Sequence, residues 1–246
     1  IDGKWLLQVE RWPRGALSIP RIQSHRGYCK GGEIENTLPA FRQSRQHGAL
    51  MVETDVRLTK DQVPVLFHDE NLQRLAGVPD ALRLLTLSEL RRKFKVTTLQ
   101  DLLIDTQSPR LVNIELKTKS LIEDPLERKV AEVVKHARAE SRVLFSSFNP
   151  FSLYRIGLHL PDVPRALLVS PEDEPDNSIV LRKMLLAPFF SFHLLHLDQQ
   201  MVNEASMKVW RRKKIPISVW TVNGKENVSH YLQLGALSVI SDEWNS

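Results

Sequence analysis

Eight short apolar runs alternate with amphipathic stretches along the 246 residues, and this alternation constrains the fold more than any other feature. The runs are RIQSH (21–25), LMVETDV (50–56), LVNIELK (111–117), RVLFSSF (142–148), RALLVS (165–170), FHLLHLD (192–198), IPISVW (215–220) and LSVIS (237–241). Helical stretches fall between them. TLPAFRQSRQHG (37–48) has an N-cap in Thr37 and a stop in Gly48, and TLSELRRKF (86–94) opens on a capping box of Thr86 and Glu89. TLQDLLIDT, PLERKVAEVVKHARA, PFSLYRIGLHL, SIVLRKMLLA (178–187), VNEASMKVWRRK and KENVSHYLQLG continue the series. Strands that alternate with helices run parallel and are joined by right-handed crossovers. Eight such units in a chain of this length predict one domain over residues 1–246, a (β/α)8 TIM barrel. A doubly wound open sheet is the rival, but the glycine fingerprint that often follows its first strand is absent. KDQVPVLFH (60–68) breaks the alternation and predicts a turn and a short extra strand inserted after strand two.

The acids inside these runs are the next constraint. Side chains alternate faces along a strand. In LMVETDV, Met51, Glu53 and Asp55 share one face and Leu50, Val52 and Val56 the other. In LVNIELK, Asn113, Glu115 and Lys117 share one face and Val112, Ile114 and Leu116 the other. The apolar faces suit the surrounding helices, so the polar faces point into the barrel near its C-terminal mouth, where barrel enzymes keep their sites. Residues two apart on a strand sit about 7 Å apart. Two ionised acids at that distance repel by roughly 2 kcal/mol at an effective dielectric near 20. Lys117 offsets one charge. A hard divalent cation with oxygen ligands, Mg²⁺ or Ca²⁺, would offset the rest. A salt-bridge network with Lys117, Arg26 and Arg57 is the alternative, and Asp55 can also serve as a loop-capping acid.

His25 and His68 stand at the ends of the first strand and of the inserted strand, on the same side as the acids. A histidine pair there can supply a general base and a general acid near neutral pH. HRG (25–27), ENT (35–37), AF (40–41), VETDVRLTKD (52–61), PVLFHD (64–69), NIELK (113–117), SSF (146–148) and VWTVN (219–223) occur in one order. In that order they resemble the glycerophosphodiester phosphodiesterase family, over nearly the whole chain. The resemblance implies a metal-dependent TIM barrel that cleaves glycerophosphodiesters to sn-glycerol 3-phosphate and an alcohol. It implies Glu53, Asp55 and Glu115 as metal ligands and His25 and His68 as the acid/base pair, with Arg26 and Lys117 on the phosphate. It also implies attack by the substrate's neighbouring glycerol hydroxyl, through a cyclic phosphate that water opens. Within this scheme we read His25 as the acid and His68 as the base of the first step. Glu35 is either close to the metal or a charge placed before the helix at Thr37.

Three departures from the family pattern touch none of these groups. Ile34 replaces a proline before ENT, Gln62 replaces a turn glycine after TKD, and SDEW replaces Thr-Asp-Pro near the end. Gln62 predicts a turn of another shape. The segment between HD and NIELK is shorter than in many bacterial members, which would admit larger head groups.

Trp220, Phe148 and Tyr28 are candidates for lining the mouth and binding the substrate's alcohol, with core or rim packing as the alternative, stronger for Phe148 than for Trp220. Asp69 reads as a loop-shaping residue and Cys29 as incidental. Two other function classes stay open. One is a lysophospholipase D-like or sphingomyelinase D-like lipid phosphodiesterase on the same barrel, which calls for an apolar collar at the mouth. The other is a non-catalytic binding module, which predicts loss of a histidine or a metal acid.

Composition narrows the partners. The net charge of +5 and pI near 9.4 fit a small anionic substrate or a membrane surface. The basic residues are scattered, and RRKK (211–214) reads as a solvated helix end, so no nucleic-acid partner is expected. No stretch approaches the roughly 18 apolar residues of a membrane span. WLLQV is too short for the core of a signal peptide. A lone cysteine excludes an internal disulfide. These features point to the cytoplasm, or to the periplasm if a leader preceded Ile1; they carry no statement on oligomeric state. The start, WLLQVERWPRGAL, is a membrane-facing element, a segment across the barrel floor or a flexible lead.

Overall fold

A computed structural model describes residues 8–122, 125–172 and 190–244. Eight parallel strands close into a barrel. They are β2 (Ile22–His25), β3 (Met51–Leu58), β5 (Leu111–Leu116), β6 (Val143–Ser147), β7 (Arg165–Val169), β9 (Leu194–Asp198), β10 (Ile217–Trp220) and β11 (Ser238–Ser241). Each pairs with the next, and β11 returns to β2, which pairs with β3, so no edge is left open. The predicted extra strand is β4 (Pro64–Leu66), antiparallel to β3 with Arg57 opposite Val65. The predicted helix 178–187 lies outside the described residues. No helix among the described residues is long and apolar enough to cross a membrane.

The strand faces divide as the alternation predicts. Val52, Val56, Val112, Ile114 and Leu116 are buried against Phe41, Leu102, Val130 and Val134 of the outer helices. The barrel interior is layered. Met51, Leu144, Ala166 and Leu194 seal the floor together with Leu17, with Trp12 packed beneath. The described part of the N-terminal segment therefore packs on the floor, and its short strand β1 (Gln8–Val9) pairs with β8 (Ser191–Phe192). Above the floor the interior turns polar. Ser146 donates to Asn113, Asn113 to Gln23 and Gln23 to Ser238, a chain of buried hydrogen bonds across the barrel. Buried polar groups are tolerable only when so paired.

The loops beyond the strands begin with strong local signals. Helix α1 (Leu38–Gln46) is capped by Thr37, and Gly48 follows it with φ 84°. Gly27 has φ 94°, and a Cβ there would lie 2.6 Å from the Cβ of Ala40, so only glycine lets α1 approach. The turn after β3 departs from one expectation. Gln62 adopts φ 60°, the left-handed conformation that a glycine would take, so the turn keeps a left-handed residue despite the substitution. Such a residue costs a non-glycine side chain about 1–2 kcal/mol. The insertion continues through α2 (Gln73–Ala76), α3 (Leu87–Lys93) and α4 (Leu99–Ile104), and Val65, Phe67, Leu72, Leu82 and Leu90 give it its own small core. Both α3 and α4 begin on capping boxes, at Thr86 and Thr98.

Candidate active site

Asp55 pairs with Glu115 in register across β3 and β5, and Glu53 precedes Asp55 on the same inward face. Each of the three acids offers an oxygen, all within 4.8 Å of one another, and all three are buried. Two cations reach them. Lys117 Nζ lies 2.7 Å from Glu115 Oε1 and 3.3 Å from Asp55 Oδ1, and Arg26 Nε lies 3.2 Å from Asp55 Oδ2. Arg57, the third member of the alternative salt-bridge network, instead donates to the carbonyl of His68 at 2.8 Å. The acids are therefore not neutralised one by one.

Electrostatics records the shortfall. Burial, with Asp55 and Glu115 nearby, pushes the Glu53 carboxyl well above its usual range. Burial likewise raises Glu115 to about 7, against the opposing pull of Lys117. Asp55 keeps its charge because Arg26 and Lys117 outweigh its burial and hold its carboxyl well below the ordinary value. Asp55 Oδ1 and Glu115 Oε1 are buried and share the single ammonium of Lys117. Three converging carboxylates, more than the two nearby cations offset, are the oxygen donor set that suits a hard divalent cation.

Both histidines face this cluster. His25 Nδ1 lies 2.7 Å from Asp242 Oδ1, and its Nε2 lies 3.9 Å from Glu53 Oε2. His68 Nδ1 lies 2.7 Å from Asp69 Oδ1. Burial, aided by Lys117 and Arg26, lowers His68 to about 4, so the free imidazole is neutral at pH 7. Asp69 thus orients an imidazole, a role beyond the loop shaping read from the sequence.

Two of the three aromatic candidates line a cavity of about 280 Å³. Phe148 and Trp220 line it edge to face, 5.7 Å between ring centroids, and Lys117 Nζ stands 5.9 Å from the Phe148 ring. Asn113, Ser146 and His196 line it from deeper in the barrel. Tyr28 is elsewhere. It stacks on His47 at 3.9 Å and packs against Trp244. Cys29 is half-buried, and burial raises its thiol to about 11, an unreactive state.

Three residues that shape the site escaped sequence reasoning. Asn36 donates to Asp55 Oδ2 at 2.9 Å and accepts from Thr54 Oγ1 at 2.6 Å, which fixes the acid's rotamer. Arg74, from α2, clamps Glu35 with both terminal nitrogens at 2.6 and 2.9 Å and reaches Asp69 at 2.7 Å. Glu35 in turn lies 3.4 Å from Arg26. Glu35 is thus an anchor for two arginines. Asp242, the third, follows the last barrel strand, and the strand-end rule that singled out His25 applies to it equally. Arg74 has no comparable signal, because its place depends on how the insertion folds.

Known proteins share this architecture. Residues 25–246 match the glycerophosphoryl diester phosphodiesterase family. A glycerophosphodiester phosphodiesterase of Bacillus altitudinis is 28% identical over 251 residues, covering 91% of this chain and 95% of its own. The structure of an Oleispira antarctica phosphodiesterase in complex with the product sn-glycerol-3-phosphate superposes with a TM-score of 0.77 at 25% identity, covering 92% of this chain and 94% of that one. The glycerophosphodiester phosphodiesterase of Thermotoga maritima does so with a TM-score of 0.67 at 30% identity, covering 92% and 95%. A match that begins at the first site histidine and runs to the end of the chain, on a closed barrel with these acids at its mouth, means that this chain belongs to the glycerophosphoryl diester phosphodiesterase family.

Proposed function

We propose that this protein hydrolyses glycerophosphodiesters to sn-glycerol 3-phosphate and an alcohol, with a divalent cation and two histidines. The observation that carries the reading is the convergence of Glu53, Asp55 and Glu115 between His25 and His68, each imidazole held by its own carboxylate. Mg²⁺ or Ca²⁺ held by the three acids would offset negative charge on the diester. Lys117 and Arg26 bind the phosphate oxygens and stabilise the charge that builds on them as the nucleophile attacks. Phe148 and Trp220 meet the substrate's alcohol group.

His68 is the base of the first step. It is neutral when free, and Lys117 and Arg26 are among the causes of its low basicity. An incoming diester anion offsets those two cations, so His68 becomes more basic when substrate arrives. It removes the proton from the nucleophile, either water or the neighbouring glycerol hydroxyl. His25, backed by Asp242, protonates the leaving alkoxide. Glu35, Asp69 and Arg74 hold Arg26 and His68 in position.

A non-catalytic binding module is disfavoured, because all five groups it would be free to lose are present and converge. The test is a product assay over a panel of glycerophosphodiesters and lysophospholipids, with and without added metal. Release of sn-glycerol 3-phosphate from glycerophosphodiesters is expected. Preferential release of a free head-group alcohol from lysophospholipids would instead establish the lipid-directed activity, and no turnover of any member would leave a binding module.

A further inference from the structure

The polar layer inside the barrel is only partly joined. Ser146 on β6, Asn113 on β5, Gln23 on β2 and Ser238 on β11 form one hydrogen-bonded chain, which ends where Ser238 donates to the Pro20 carbonyl at 2.7 Å. The chain stops short of β9 and β10. There His196 and Ser218 stand in register on adjacent strands, and Ser218 is also in register with Ser238. Both are wholly buried, yet neither ring nitrogen of His196 nor Ser218 Oγ has a hydrogen-bond partner among the described residues. Leu168, in register with His196 on its other side, has no polar side-chain atom to offer. Buried polar groups almost always find partners, and leaving one unpaired is costly.

These groups belong to the bottom of the catalytic cavity. Leu194 lies in the apolar floor cluster, so His196, two residues on, faces inward one step above it. Asp198 faces inward one step higher, and both line the cavity. Ile217 and Val219 pack in the outer core, which turns Ser218 inward as well. The His196 carbonyl accepts from Trp220 Nε1 at 3.0 Å, which ties the rim aromatic to the strand that carries His196. Burial lowers the imidazole to about 3 and keeps it neutral, with one N–H to donate and one lone pair to accept. Ser218 likewise both donates and accepts. That combination suits a hydroxyl, which gives one hydrogen bond and takes another. A phosphate oxyanion only accepts, and a cationic amine only donates.

We propose that His196, with Ser218 beside it, binds the terminal hydroxyl of the substrate's glycerol arm at the bottom of the cavity. The inference rests on the reading that the reacting phosphate sits at the acid cluster with Arg26 and Lys117. From there one arm of the diester runs out past the rim and the other runs in. The alcohol arm meets Phe148 and Trp220 at the rim. The glycerol arm is short and ends in a hydroxyl, so it suits a closed floor that carries unpaired polar groups. Its neighbouring hydroxyl stays beside the reacting phosphorus, which leaves the terminal one to reach inward. His196 stands two residues, about 7 Å, below the rim position of Asp198, a depth comparable to the length of a three-carbon arm.

sn-Glycero-3-phosphocholine and its analogue with hydrogen in place of the terminal glycerol hydroxyl form the test pair. The analogue keeps the phosphate, the leaving alcohol and the neighbouring hydroxyl. The wild-type protein should show a kcat/KM roughly tenfold or more higher on the first compound, because the analogue leaves the ring unpaired. His196→Leu, with no polar atom at this point, should bring the ratio of the two values close to one. His196→Gln should restore part of the ratio, and Ser218→Ala should lower it by a smaller factor. A ratio near one in the wild type, or one unchanged in His196→Leu, would overturn the assignment. Failure of the wild type to turn over either compound would count against the proposed function, and binding then decides this inference. Titration calorimetry of sn-glycerol 3-phosphate and of 2-hydroxypropyl phosphate of matching configuration, each with Mg²⁺ present, tests the site without turnover. Tighter binding of sn-glycerol 3-phosphate, with the difference lost in His196→Leu, supports the assignment. Equal or absent binding of the two by the wild type refutes it and leaves His196 and Ser218 to buried water.

Discussion

Asp242 Oδ1 lies 2.7 Å from His25 Nδ1, although 217 positions separate the two residues in the chain. The pair stands where β11 and β2 meet, at the seam that closes the barrel. His68 reaches the same arrangement with its immediate neighbour Asp69, also at 2.7 Å. In each case a carboxylate beside Nδ1 can accept its N–H, which leaves Nε2 for the reacting groups.

Asp242→Asn should keep the barrel and lose the tautomer. An amide can offer its own N–H to Nδ1, which moves the imidazole proton to Nε2 and removes the stabilisation of the protonated ring. Turnover should fall about a hundredfold, at the lower end of what general acid–base catalysis supplies. KM should change little. A rise in KM alone, with kcat unmoved, would assign Asp242 to binding.

Removing either imidazole should be more damaging. His25→Ala and His68→Ala are each expected to lower kcat by a hundredfold or more, with far-UV circular dichroism and melting temperature close to wild type. Neither ring belongs to the apolar core clusters, so its loss opens no core cavity. Near-native rates in either variant would remove that histidine from the mechanism.

Chelation is expected to abolish activity, with Mg²⁺ or Ca²⁺ restoring it and raising the melting temperature in proportion to occupancy. Glu53→Gln should weaken cation binding tenfold or more, because a coordinating charge is lost. The same substitution should leave the metal-free protein at least as stable as wild type at pH 7, since the Glu53 carboxyl is already pushed toward its protonated form. Calorimetry of cation binding and denaturant unfolding separate the two effects. Full activity after exhaustive chelation would exclude the metal.

Acid should unfold the barrel from inside. His196 is wholly buried, neither ring nitrogen has a hydrogen-bond partner among the described residues, and burial lowers its pKa to about 3. His193, buried near Arg165, is lowered to about 4. Both folded values lie below the ordinary 6.5, so the unfolded chain binds the extra protons. Stability is then fully present above about pH 6.5 and falls with acidity at up to about 1.4 kcal/mol per pH unit for each ring, until the folded pKa is passed. His196→Leu should flatten this decline between pH 6.5 and about 3, the window set by the His196 values, as read from urea midpoints. An unchanged slope would show that other groups drive acid unfolding.

The order of eight apolar runs, the face on which Glu53, Asp55 and Glu115 lie, the caps at Thr37 and Thr86 and the extra strand before His68 were all legible in the sequence, because each follows from a local period or a contact within a few residues. A two-residue alternation places a side chain on one side of a strand wherever that strand ends up. Only the closed barrel decided what those side chains meet. Asp242 joins His25 because the last strand pairs with the first, and Arg74 joins Glu35 and Asp69 because the insertion folds back over the mouth. Tyr28, close to His25 in sequence, is carried outward to His47. Partners set by ring closure and loop packing leave no period in the chain, since nothing about either residue's neighbours in sequence depends on them; folding brings them together, and the pairing of charge with charge exists only then.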